Sequence, residues 1–140
     1  NPGYMTENYD VDFFVSLSDY CPETDEAFLI TEGQIRSSLR GTNANPLYGF
    51  LGLPWHRCNK GDNEYLTLGE TYMLNIDLLP TSYVLAKGHC IRVTITNSMD
   101  RMYYQGRLVY EENPECKKPT VRIYTGGEKA SHIVLPDIYR

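Results

Sequence analysis

An all-β domain is the fold class that these 140 residues predict, and three observations predict it. Apolar residues recur with a period of two, the spacing of a strand with one buried face. Turn formers separate the runs. No segment places apolar residues at i, i+3, i+4 and i+7 over three turns, so no amphipathic helix is expected. Short alternating strands with turns between them indicate an antiparallel sandwich or barrel. One face of each strand then meets the core and the other meets solvent.

The strands follow in chain order. Val11, Phe13, Val15 and Leu17 share one face, while Asp10, Asp12, Ser16 and Ser18 share the other, with Phe14 as the exception. Ile35 and Leu39 alternate with Gln34, Arg36, Ser38 and Arg40 as a second strand. Tyr72, Leu74, Ile76 and Leu78 alternate with Thr71, Met73, Asn75 and Asp77. Ile91, Val93 and Ile95 alternate with Arg92, Thr94 and Thr96, and Val121, Ile123, Ile133 and Leu135 suggest two shorter strands. The turn formers are Cys21-Pro22-Glu23, Thr31-Glu32-Gly33, Lys87-Gly88 and Thr125-Gly126-Gly127. Pro80 to Ala86 has room for one turn of helix at most. Two stretches, Gly41 to Leu68 and Asn97 to Pro119, fit no strand, and loops of that length are usually functional or packed against something.

Composition narrows the function. The length fits one domain over residues 1–140, large enough to bury a core without a metal or disulfide. No apolar run reaches the ~20 residues of a membrane-spanning helix. Thirteen Lys and Arg against eighteen Asp and Glu give −5, which disfavours an electrostatic grip on nucleic acid. Twelve Tyr stand against one Trp and four Phe. Cys21, Cys58, Cys90 and Cys116 form no C-x₂₋₄-C pair, so unpaired thiols are favoured over disulfides or a zinc site. Cys90, in a strand pattern, reads as a small buried hydrophobe. The chain begins Asn1-Pro2-Gly3 without an initiator Met, a basic n-region or an apolar h-region, which favours a piece of a longer protein. Compartment stays open.

Longer blocks are more specific. Tyr72-Met73-Leu74-Asn75-Ile76-Asp77-Leu78-Leu79-Pro80-Thr81-Ser82-Tyr83-Val84-Leu85-Ala86-Lys87-Gly88-His89 runs into Cys90-Ile91-Arg92-Val93-Thr94-Ile95. This resembles the C-terminal domain of the X-prolyl dipeptidyl-peptidase and cocaine-esterase type hydrolases, with their hydrophobic-Pro-Thr step, Lys-Gly-His and Ile-Arg-Val-x-Ile strand. Asp10 to Asp19, Leu29 to Arg36 and Ser131 to Pro136 are similar to three further blocks in the family's order. The resemblance implies a jelly-roll β-sandwich of the galactose-binding-like kind. It also implies a partner, an α/β-hydrolase catalytic domain earlier in a parent serine hydrolase that cleaves esters or N-terminal Xaa-Pro dipeptides. Two departures stand out. Met99 to Gly106 replaces the family's Asn-Phe-Pro-Arg continuation, and Asn1 to Tyr9 is too polar and short for the family's usual first strand, so the core either lacks an edge strand or is completed by another segment.

Catalysis by this chain itself is not expected. No serine lies in G-x-S-x-G, and nothing reads as the βα unit that presents such a turn. Of the histidines, His89 falls in the Lys-Gly-His match and implies a structural role, His132 points outward from a strand, and His56 beside Trp55 has the best setting for a site. Asp10 and Asp12, about 7 Å apart along a strand, could serve paired-acid or Ca²⁺ chemistry, but a solvent-facing strand start reads the same way. No cofactor is expected. The candidates for an interface or a ligand are Tyr48, Trp55, His56, Met102, Tyr103 and Tyr104 in the long loops. Interfaces select Tyr, Trp and Met, and aromatic faces also bind sugars. The favoured reading is a non-catalytic domain that braces a catalytic domain and helps wall its cleft or a homo-oligomer interface. The alternative is a free-standing module for a carbohydrate or small ligand.

Overall fold

The strands are β1 (Asn8–Tyr9), β2 (Asp12–Cys21), β3 (Glu26–Arg36), β4 (Cys90–Thr96) and β5 (Cys116–Lys117). They belong to a computed structural model that describes residues 7–43, 52–97, 116–117 and 119–135. Single 3₁₀ turns occupy Ser37–Leu39, Lys60–Asp62 and Gly127–Lys129, and no α-helix occurs among the described residues. The fold is all-β, as the period of two predicts.

β2 is the middle strand of an antiparallel sheet ordered β3-β2-β4. Its hairpin with β3 turns through Pro22 to Asp25, where Asp25 takes a left-handed φ of 57° that Asp tolerates better than most residues. Leu17 opposes Thr31 but Ser18 opposes Leu29, so Ile30 is an extra residue and the ladder bulges there. β1 pairs in parallel with β5, Asn8 opposite Cys116, and Tyr9 also bridges to Leu66. The last two residues of the N-terminal segment therefore do join a ladder, although its polar composition argued against a strand.

Val11, Phe13, Val15 and Leu17 are buried, as their phase predicts, and Phe14 is buried as well. Val11, Phe13 and Ile35 form the core cluster, with Leu66, Leu74 and Ile76 packed against it. Each such side chain contributes roughly 1.5–3 kcal/mol when fully removed from water. The run 72–78 keeps its predicted faces, with Tyr72, Leu74, Ile76 and Leu78 half-buried and their neighbours exposed, yet it joins no ladder. It is tied to β3 instead. Leu79 N–H donates to the Glu32 carbonyl at 3.0 Å, and the Thr31 hydroxyl donates to the Leu79 carbonyl at 2.6 Å.

Four expectations are corrected. Thr31-Glu32-Gly33 is no turn but the middle of β3, where glycine admits the close approach of Asp77. Leu39 leaves the strand for a 3₁₀ turn. Cys90 is exposed rather than buried, because it pairs with Tyr20 on the side of β4 opposite Ile91, Val93 and Ile95. Val121, Ile123, Ile133 and Leu135 join no ladder, although Ser131 N–H donates to the Tyr124 carbonyl at 2.8 Å around the Gly127–Lys129 turn.

Candidate functional site

Asp19 is the most informative polar residue. It follows Val11, Phe13, Val15 and Leu17 in the apolar phase of β2, and it is buried. A buried carboxylate must be paired or hydrogen-bonded. Here Tyr83 donates its hydroxyl to Oδ2 at 2.7 Å and His89 meets Oδ1 through Nδ1 at 2.7 Å. Burial pushes the Asp19 carboxyl up, but the Tyr83 and His89 hydrogen bonds, the imidazolium charge and the Ala86 N–H outweigh it, holding it below the usual range. The bond to Asp19 raises His89, with burial opposing, and the same carboxylate raises Tyr83. Gly88, at φ 87°, makes the turn that brings His89 back over β2. Residues 79–89 are thus a strap clasped by one acid.

The clasp sets a pH dependence. Because His89 is raised, its contribution is complete below its ordinary value of 6.5 and is lost as pH rises through the folded value. Because Asp19 is lowered, its contribution is present above 3.8 and is lost as pH falls through the folded value. Stability from the clasp is therefore greatest between the two. In urea titrations at pH 5.5, 7 and 8.5, His89→Gln should flatten the alkaline decline of the wild type. An unchanged slope would show that His89 does not carry it.

Beside the clasp, Cys21 sits at the end of the hairpin. Its thiol is lowered by the Thr24 hydroxyl, then by the Thr24 and Glu23 N–H groups, and less by His89. On the outer face Arg92 lies over the Tyr20 ring, 3.5 Å from its centroid.

Asp10 and Asp12 are not the solvent-facing pair that the sequence suggested; both are buried. Asp10 Oδ1 accepts from the Ser37 hydroxyl at 2.7 Å, the Ser38 N–H at 2.9 Å and the Val11 N–H at 3.0 Å. Its Oδ2 accepts from the Ser38 hydroxyl at 2.7 Å. Asp12 takes a fork from Arg36 directly opposite, Nε to Oδ1 at 2.8 Å and Nη2 to Oδ2 at 3.0 Å. Protein donors thus engage all four carboxylate oxygens, which argues against both paired-acid and Ca²⁺ chemistry. Among the described residues no group of three His, Cys, Asp or Glu could hold a metal.

Of the six loop candidates, Trp55 and His56 are described and half-buried, whereas Tyr48, Met102, Tyr103 and Tyr104 lie outside the described residues. His56 stitches two segments together, Nδ1 facing the Gly41 carbonyl at 3.2 Å and Nε2 the Asn75 carbonyl at 2.9 Å. The Trp55 carbonyl accepts from Asn43 N–H at 2.9 Å. Nearby, a cleft of about 390 Å³ is lined by Thr42, Asn43, Arg57, Asp62 and Glu64 among others, with Arg57 paired to Asp62 at 3.0 Å. None of the described lining residues is aromatic, so none of them offers a sugar a stacking platform.

Asp19, with partners 64 and 70 residues away, and the Asp10 network were not singled out from sequence. One signal was available: an acid in the apolar phase of a strand.

Fold and site together define an all-β domain in which buried acids and histidines tie loop segments in place. The chain belongs to the family of the X-Pro dipeptidyl-peptidase C-terminal non-catalytic domain, whose model matches residues 5–134. Two mycobacterial proteins provisionally named as serine esterases, from Mycobacterium bovis and Mycobacterium tuberculosis, are 38% identical over 126 residues, covering 90% of this chain and 19% of each relative. A cocaine esterase of a Rhodococcus species is 33% identical over 136 residues, covering 94% of this chain and 21% of the relative. The chain therefore spans about a fifth of the length of the curated relatives it matches. No solved structure matches it. No helix among the described residues is long and apolar enough to cross a membrane.

Proposed function

We propose that residues 1–140 are one β-sandwich, of jelly-roll connection, that braces the catalytic domain of a parent serine hydrolase and helps wall its substrate cleft or an oligomer interface. The observation that carries this reading is the match to a non-catalytic C-terminal domain over residues 5–134, in relatives named as esterases and about five times as long. Acyl transfer through a Ser-His-Asp triad would belong to the parent's α/β-hydrolase domain.

The chain's own residues support a structural part. His89 meets Asp19 through Nδ1 and His56 meets a carbonyl at each ring nitrogen, contacts that tie loop segments together. The isolated chain should hydrolyse neither a chromogenic ester nor an Xaa-Pro anilide. Turnover that survives repurification would overturn the reading. A reading frame upstream of Asn1 that contains G-x-S-x-G, then an Asp and a His, would support it, and a start codon or secretion signal in that place would not.

A further inference from the structure

Two groups stand out among the exposed apolar residues. Ile91, Val93 and Ile95 of β4, 39–43% exposed, lie opposite Asp19, Leu17 and Val15 and continue the inner face of the sheet. The strap 79–86 is different. Its sequence, Leu-Pro-Thr-Ser-Tyr-Val-Leu-Ala, has no charge and no period of two, yet Val84 is 89% and Leu79 64% exposed. Phe28, 56% exposed, stands on β3 directly opposite Asp19, the acid that clasps the strap. The strap cannot fold these side chains away. Leu79 is tied through both its N–H and its carbonyl to β3, and Tyr83 and His89 are tied to Asp19.

An apolar, uncharged surface held outward marks an interaction site, and the centres of interfaces are depleted in charge. We infer that the strap 79–86 with Phe28 is the face on which the catalytic domain of the parent polypeptide docks. This rests on the accessory-domain reading above. The occupant follows from length: relatives that match 90% of this chain keep about four-fifths of their own residues outside the matched region. Asp19 then acts as a positioning residue for an interface rather than for chemistry.

Hydroxyl-radical footprinting of the intact parent polypeptide tests this, with Leu68 as the internal standard. Leu68 and Leu79 are the same residue type at nearly equal exposure, 60% and 64%. In the parent, Leu79 and Phe28 should be oxidised several-fold more slowly than their exposure here implies, Leu68 should keep its rate, and the protection should not change on dilution. Equal rates at Leu79 and Leu68 would overturn the inference, and so would protection that disappears on dilution, which would make a second copy the occupant. Val84→Glu gives an independent reading: it should lower the parent's unfolding midpoint, and an unchanged midpoint counts against docking. A parent with no upstream hydrolase domain ends both readings. A parent that has one and leaves the strap open ends only this inference.

Discussion

Asp10→Ala should destabilise the domain by roughly 3–5 kcal/mol, a large part of the about 5–15 kcal/mol that holds a typical domain folded. The carboxylate sits just before β2, and Ser37 and Ser38 sit just after β3, each 1% exposed. It closes the open end of the hairpin, beyond the last cross-strand pair of Asp12 with Arg36. The turn Ser37–Leu39 has no cap from its own preceding residue, Arg36. Asp10 supplies one from another strand by accepting the Ser38 N–H at 2.9 Å. Truncation would strand two hydroxyls and leave two backbone N–H groups short of an acceptor where water does not reach. Ser37 Oγ, 3.0 Å from the Val11 N–H, can compensate only in part. With a urea slope of ~1–3 kcal/mol/M, the midpoint should fall by about 2 M. Asp10→Asn should lose less, since one carbonyl oxygen still accepts. A fall of less than about 0.5 M for Asp10→Ala would show that the network is not what closes the hairpin.

The parts of the fold that the sequence made legible are those where period and burial agree locally. Val11, Phe13, Val15 and Leu17 share a phase and are buried, and the faces of 71–78 are as expected although that run joins no ladder. Alternation reports which side of an extended segment meets the core; it does not report whether the backbone finds a pairing partner. The misreadings share a cause. Asp10 and Asp12 read as solvent-facing from their phase, yet both are buried, with side-chain donors 24 to 28 positions away, and the partners of buried Asp19 lie 64 and 70 positions away. No spacing rule links such residues. Cys90 failed in the other direction, since being in a strand says nothing about which face a residue takes. The family resemblance reaches further because matched blocks carry long-range partners together, and the structural role it implies for His89 agrees with the bond of that ring to Asp19.

Gly33 carries the second large expected effect, and its sign is the test. A glycine replaced by alanine in an unstrained site usually gains about 0.4–1 kcal/mol, because the unfolded chain loses freedom. At Gly33 a Cβ would fall 2.1 Å from the Asp77 carbonyl oxygen, 3.0 Å from its carbon and 3.1 Å from Leu78 Cδ2. Two of those atoms are backbone, so no rotamer change clears them. To admit the methyl group, 77–79 must move away from β3. That motion works against the Leu79 N–H bond to Glu32, the Thr31 bond to Leu79, and the packing of Ile76 and Leu74 on Val11, Phe13 and Ile35. Overpacking of this kind typically costs 1–3 kcal/mol, and the rigid backbone partner puts Gly33→Ala near about 3 kcal/mol, with Gly33→Val worse. Gly61→Ala is the matched control, because a Cβ there meets nothing within 4 Å. In parallel urea titrations Gly33→Ala should unfold well before the wild type and Gly61→Ala close to it. Were Gly33→Ala as stable as the wild type, the packing of 72–79 on β3 would be wrong, and with it the placement of the strap that Asp19 holds.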